Sequence, residues 1–318
     1  MLKWIGRIFL GLLVLIGAAG IVLYQSDVPR AEAVARYGGP PSKFVTLMSG
    51  AAAHYRSYGP DDAPVLLLLH GSNASLHTWE PWAELLAGDF RVVTVDLPGH
   101  GLTGAVPGDD YSQKGMAAFV LEFTAALELK SFAIGGNSMG GGVAARFVVE
   151  NPGVATALIL VDASGQPSGK PRDPGLGFRL ARLPVVQEVI PYLGSRMIYE
   201  GGLKQAFADD ALVTDAMVDR YALLNRMAGT RQATLKRFQT APDNVLEARA
   251  SEIAIPTLIL WGDQDMLIPV DAAEMWKSKV KGAELIVYPG IGHVPMEETP
   301  ETSAKDVAAF LSEHAPAE

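Results

Sequence analysis

Residues 136–140 read Gly-Asn-Ser-Met-Gly, directly after the apolar run Phe132-Ala-Ile-Gly135 and directly before a helical pattern. Two glycines around a serine let a strand turn sharply into a helix. The turn strains the serine and presents its hydroxyl at the helix N-terminus, where developing negative charge is favoured. In a chain with 33 glycines the pentapeptide alone is a weak signal; the strand before it and the helix after it make Ser138 a candidate nucleophile. A serine hydroxyl needs a base, and the base needs an orienting acid. Of the six histidines, His54 falls in an early strand, His77 in a loop before a helix, His100 in a Pro-Gly-His-Gly turn and His314 in the tail. His70 directly follows a buried strand. His293 sits in Pro289-Gly-Ile-Gly-His293, at the carboxyl end of the last strand, where open α/β sheets place their sites, and is the candidate base. The acid candidates are Asp263 and Asp265 in Trp261-Gly-Asp-Gln-Asp265, with Asp162 closing the preceding apolar strand as a further possibility. Any of these carboxylates could instead cap a helix or fix a turn.

The elements that must position these groups alternate. Strands are expected at 44–48, 54–58, 65–69, 91–95, 132–135, 157–161, 257–261 and 284–288, and helices at 80–87, 117–127, 141–150 and 303–312. Continuous apolar runs such as Val65-Leu-Leu-Leu-Leu69 mark strands covered on both faces. The alternation predicts an α/β fold with a mostly parallel sheet flanked by helices. Strand signals vanish between Gly165 and about Ala250, where helices are expected at 211–227 and 230–238; this stretch reads as a helical lid inserted after the sixth strand. Its apolar residues, among them Phe178, Leu180, Leu183, Tyr192, Met197 and Phe207, could line an acyl pocket or form the lid's own core.

Composition excludes several classes. With 318 residues, 49% hydrophobic and 19% charged, the chain is folded rather than disordered. A formal charge of −9 argues against nucleic acid as partner, and zero Cys removes thiol catalysis, disulfides and Cys-based metal sites. No phosphate loop, nicotinamide fingerprint or metal cluster stands out, so no cofactor is expected. The uncharged run Ile8–Ser26 follows Lys3 and Arg7 and reads as a membrane anchor with a cytoplasmic N-terminus, or alternatively as a cleaved signal. The expected organisation is an anchor or signal at 1–26, a linker at 27–42, a core at 43–164 and 251–318, and the lid at 165–250. The catalytic part would then face away from the cytoplasm. Oligomeric state is not legible.

Over residues 44–312 the chain resembles serine hydrolases of the α/β-hydrolase fold. The likeness rests on His70-Gly71, Asp96-Leu-Pro-Gly-His-Gly101, the Ser138 turn, Gly262-Asp-Gln-Asp265 and Gly292-His293, in the order Ser, Asp, His. The resemblance implies a triad of Ser138, Asp265 and His293. It further implies an oxyanion hole from the backbone N–H groups of Met139 and of Ser72. His70 would hold that loop by hydrogen bonding, and Asp96 and His100 would be structural in their turn. A serine at this position disfavours epoxide hydrolysis and dehalogenation, which in this fold use Asp. Carboxylic ester hydrolysis is the first expectation, on a small-molecule ester or a lipid. The string Gly136-Asn-Ser-Met-Gly-Gly141 is similar both to carbon–carbon hydrolases of vinylogous diketones and to membrane-associated lipases. The former resemble one another in a Gly-Pro-Gly oxyanion segment. This chain instead reads Gly71-Ser-Asn-Ala-Ser-Leu-His-Thr-Trp79, which weakens that reading. Lactone hydrolysis and non-catalytic ligand binding remain open beside these.

Overall fold

The computed structural model describes residues 24–168, 192, 196–241 and 243–314. In chain order these form helix α1 (Arg30–Tyr37), β1 (Lys43–Thr46), β2 (Ala52–Tyr58), β3 (Val65–Leu69), α2 (Glu80–Leu86), β4 (Arg91–Val95) and α3 (Gln113–Ala126). There follow β5 (Phe132–Asn137), α4 (Met139–Glu150) and β6 (Ala155–Val161), then the lid helices α5 (Arg196–Ala206), α6 (Asp215–Leu224), α7 (Thr230–Gln239) and α8 (Val245–Arg249). The chain closes with β7 (Thr257–Gly262), α9 (Asp271–Lys279), β8 (Glu284–Tyr288), α10 (Pro295–Glu298) and α11 (Pro300–Glu313).

The eight strands form one sheet in the order β1-β2-β4-β3-β5-β6-β7-β8. β1–β2 and β2–β4 pair antiparallel, and all the remaining pairs are parallel. This is the expected α/β-hydrolase arrangement. Alternation along β3 shows how the sheet is covered. Leu66 and Leu68 pack with Trp82 of α2 and Phe310 of α11 on one face, while Leu67 and Leu69 pack with Phe123 of α3 and Phe147 of α4 on the other. Because successive side chains point to opposite faces, a strand buried on both sides must be apolar at every position. The carboxyl ends of β3, β5, β7 and β8 come out on one edge of this sandwich, and the candidate site residues lie there.

The four described lid helices lie between β6 and β7. Phe178, Leu180 and Leu183 lie outside the described residues. Of the others, Phe207 is buried in the core on the face of the sheet that carries Leu66, Leu68, Trp82 and Phe310, whereas Met197 is exposed.

One expectation changes. The proposed membrane-spanning anchor at 1–26, with an extracytoplasmic catalytic part, is not upheld. Among the described residues no helix is long and apolar enough to cross a membrane, and residues 1–23 of that reading lie outside the described residues. The residues that follow are held in contacts within the protein: Gln25 N–H donates to the Tyr192 carbonyl at 2.8 Å, and Val28 N–H to that of Arg226 at 2.8 Å. The stretch 27–42, read as a linker, contains α1. Val28 and Ala33 pack with Leu102, Leu223, Leu224 and Met227, so this segment joins the core to the lid.

Candidate active site

β5 ends on Asn137 and α4 begins on Met139, so a single residue, Ser138, makes the turn, at φ 54° and ψ −119°. Positive φ at a residue with a side chain costs about 1–3 kcal/mol and persists only where the surroundings enforce it. Here Ser138 N–H donates to the Val161 carbonyl at 2.9 Å, and the Ser138 carbonyl accepts from Ser164 N–H at 2.9 Å. The flanking glycines are required by close approach. A Cβ on Gly136 would stand 2.3 Å from the Gly140 carbonyl carbon, and one on Gly140 would stand 2.3 Å from the Leu69 carbonyl oxygen. Ser138 is half-buried, and its hydroxyl has no hydrogen-bond partner among the described residues.

His293 and Asp265 meet at this edge. His293 Nδ1 lies 2.7 Å from Asp265 Oδ2, with both residues buried. Asp265 Oδ1 accepts the N–H groups of Leu267 at 2.7 Å and Ile268 at 2.9 Å, which fixes the carboxylate. Asp263 points elsewhere: its Oδ1 accepts the Gly290 N–H at 2.7 Å and fixes the turn after β8. Asp162, at φ 46°, accepts the Gly262 N–H at 3.0 Å and lies behind Asp265. Burial, and then the negative charge of Asp265, push the Asp162 carboxyl well above the usual carboxylate range. Asp162, Asp265 and His293 bring possible ligand atoms within 4.8 Å of one another.

Three contacts hold the His293 loop in place. Its N–H donates to the Ala206 carbonyl at the end of α5 at 2.7 Å, and its carbonyl accepts from Asn137 Nδ2 at 2.9 Å. Glu298 spans the Gly292 and Ala208 N–H groups at 2.9 and 2.8 Å, tying the same loop to the lid. Asn137, the residue beside the candidate nucleophile, is thus tied to the candidate base. Sequence reasoning missed it, although an amide ending an otherwise apolar strand was a visible signal.

The loop after β3 runs beside Ser138: a Cβ on Gly71 would stand 3.3 Å from Ser138 Cβ. As the first residue of α4, Met139 has a backbone N–H without an intrahelical acceptor, and the Ser72 N–H finds none among the described residues either. His70 braces the loop. Its Nδ1 lies 2.7 Å from the Gly71 carbonyl, and its Nε2 accepts the Leu97 N–H at 3.0 Å. Burial lowers the His70 pKa, in keeping with a neutral ring that donates at Nδ1 and accepts at Nε2. Asp96 accepts from Leu76 N–H at 2.8 Å and Leu102 N–H at 2.7 Å and pairs with His54 at 2.6 Å. Burial opposes its ionisation, but the imidazoles of His54, His70 and His77 together hold it below the usual range. Its contacts tie the turn at 96–102 to the loop at 70–76.

The lid reaches the same loop. Asn225, just past α6, donates from Nδ2 to the Asn73 carbonyl at 2.7 Å. Arg237 of α7 donates to Ser72 Oγ at 2.5 Å, to Met139 Sδ at 3.1 Å and to Asn73 Oδ1 at 3.2 Å. Burial of the guanidinium draws its pKa down to about 10. A cavity of about 390 Å³ opens beside Met139, with Gln113, Ser164, Gln166, Arg237 and Asp243 on its walls. Neither Asn225 nor Arg237 carries a local motif, so no signal in the sequence placed them here.

Comparison with known proteins adds the following. The family described as the alpha/beta hydrolase fold matches residues 64–300. A monoacylglycerol lipase of Xenopus laevis is 27% identical over 288 residues, covering 83% of this chain and 83% of that protein. A 2-hydroxy-6-oxononadienedioate/2-hydroxy-6-oxononatrienedioate hydrolase of Paraburkholderia xenovorans is 28% identical over 281 residues, covering 85% of this chain and 95% of its own length. Among solved structures, a membrane phospholipase A superposes with a TM-score of 0.74 at 28% identity, covering 98% of this chain and 100% of the other.

Proposed function

This chain belongs to the α/β-hydrolase fold family and is a hydrolase, and from that premise we propose that it cleaves carboxylic esters with Ser138, His293 and Asp265. The observation that carries the reading is the buried 2.7 Å contact between His293 Nδ1 and Asp265, on the sheet edge where Ser138 is held at φ 54°. Ser138 Oγ attacks the ester carbonyl carbon while His293 Nε2 takes its proton. The carbonyl π electrons move to oxygen, and that oxyanion is held by the N–H groups of Ser72 and Met139. Collapse breaks the bond to the alkoxide, which leaves as the alcohol with the proton from His293. Water, deprotonated by the same nitrogen, then releases the acid and restores Ser138. Asp265 keeps the imidazole in the tautomer that leaves Nε2 free to accept.

The monoacylglycerol lipase and the phospholipase A among the similar proteins support an acyl ester or lipid as substrate. The Paraburkholderia relative favours a second reading, carbon–carbon hydrolysis. The test uses p-nitrophenyl esters of graded acyl length, with Ser138→Ala as control. Turnover that vanishes in the variant supports ester hydrolysis. If the folded protein leaves every ester intact and cleaves a vinylogous diketone, the second reading takes its place.

A further inference from the structure

The chemistry proposed above leaves Arg237 unused, and its surroundings are unusual for a guanidinium. Buried charges are ordinarily paired, because an uncompensated one forfeits its hydration. The residue as a whole is half-buried, but its guanidinium is enclosed. Among the described residues no carboxylate lies within salt-bridge distance of it, and its buried Nε has no acceptor. Asp243, on the wall of the same cavity, is engaged by Arg146 instead. The three acceptors that Arg237 does meet, Ser72 Oγ, Met139 Sδ and Asn73 Oδ1, are neutral. Its uncompensated charge is felt further away, where it helps to hold His70 and His100 neutral beyond the effect of their burial.

Two of those acceptors belong to the residues whose backbone N–H groups would receive the oxyanion. A cation already neutralised by a carboxylate would respond little to a new negative charge. One left uncompensated responds most when charge appears, which is in the transition state and not before. We propose that Arg237 is a lid-borne positioning residue that clamps Ser72 and Met139 at a fixed spacing and supplies the positive charge behind the oxyanion they hold. The proposal rests on the ester-hydrolase reading of Ser138. It makes the hole dependent on the lid: α7 and, through Asn225, the end of α6 both grip residues 72–73, so displacement of the lid loosens the donors.

The experiment measures Arg237→Lys and Arg237→Met in the full chain, with Ser138→Ala as control. The probes are a neutral p-nitrophenyl ester, the same ester bearing a carboxylate on its acyl chain, and a trifluoromethyl ketone whose serine adduct carries the oxyanion. The expected result is a fall in kcat of roughly 10²-fold for Arg237→Met with KM little changed on the neutral ester. Arg237→Lys, which keeps the charge, should recover part of the loss. Ki for the trifluoromethyl ketone should rise by the factor by which kcat/KM falls. Unchanged kcat in Arg237→Met overturns the proposal. So does a loss confined to the carboxylate-bearing ester, which would make Arg237 a substrate-anion site, and so does an equal loss in Lys and Met that follows a lowered unfolding midpoint. If Ser138→Ala retains turnover, the Ser138 ester-hydrolase reading itself fails; if Ser138→Ala is dead and Arg237→Met keeps the parent's kcat, only this inference fails.

Discussion

Holding Ser138 at φ 54° costs stability, and its half-buried hydroxyl is left without an internal partner. Replacing that side chain should therefore remove turnover without unfolding the protein. Ser138→Ala is expected to abolish ester hydrolysis while circular dichroism and the melting midpoint stay close to the parent; His293→Ala should abolish it too but lower the midpoint, because it leaves the buried Asp265 Oδ2 without its partner. Asp265→Asn should lower kcat by about 10⁴-fold, because an amide facing Nδ1 favours the wrong imidazole tautomer. Asp263→Asn should cost little, since that carboxylate fixes the Gly290 turn and does not meet His293. A large loss in Asp263→Asn with little in Asp265→Asn would reverse the assignment. The two carboxylates are two residues apart at one strand end, and the hydrogen bond to His293 distinguishes them.

Among the elements, the strands were legible almost residue for residue. β3, β4 and β8 have the expected bounds because each is a compact run with high strand propensity, ended by a turn. Helix starts were harder to read. α3 begins at Gln113, four residues before the expected Ala117, because Ser112 caps it by accepting the Gly115 N–H at 3.0 Å and its first turn is polar. α1 and α9, of 8 and 9 residues, carry too few apolar positions to show a clear period. Glycine substitutions test how far packing overrides propensity. Gly202→Ala, at an exposed position of α5 with open space around it, should raise stability by roughly 1 kcal/mol, as measured by urea unfolding. Gly140→Ala sits in α4, where the same propensity gain applies, but its Cβ meets the Leu69 and His70 carbonyl oxygens at 2.3 and 2.5 Å. Neither backbone atom can move without shifting β3, so this variant should be clearly destabilised. Equal effects at the two sites would contradict the close packing of the turn.

For the molecule as a whole, burial sets a pH dependence of stability distinct from that of activity. The Glu297 carboxyl of α10 is enclosed beside Thr78, and burial raises its pKa from 4.5 to about 7, against the pull of Arg220. The unfolded chain begins to ionise this group near pH 4.5, while the folded protein keeps it neutral until about pH 7. The stability it contributes is complete below pH 4.5 and is lost as pH rises towards 7, by at most about 3 kcal/mol. Glu297→Gln cannot ionise and should therefore melt higher than the parent by a margin that opens between pH 4.5 and 7 and stays constant above. A constant margin at every pH would rule out titration of this residue as the cause.

The fold and the chemical types at the site are written in local patterns of residues. A doubly covered parallel sheet demands continuous apolar strands, and a strained strand-to-helix turn demands small neighbours; both are local patterns, visible in one dimension. Only the folded chain brings Asn137 from the turn to the base, and Asn225 and Arg237 from the lid to residues 72–73, whereas the Asp265 that faces His293 is the carboxylate the family resemblance implied. These partners lie tens to more than a hundred residues apart in the chain. A hydrogen bond depends on distances of about 3 Å between side chains, and no local pattern of residue types encodes which distant loops fold to that separation.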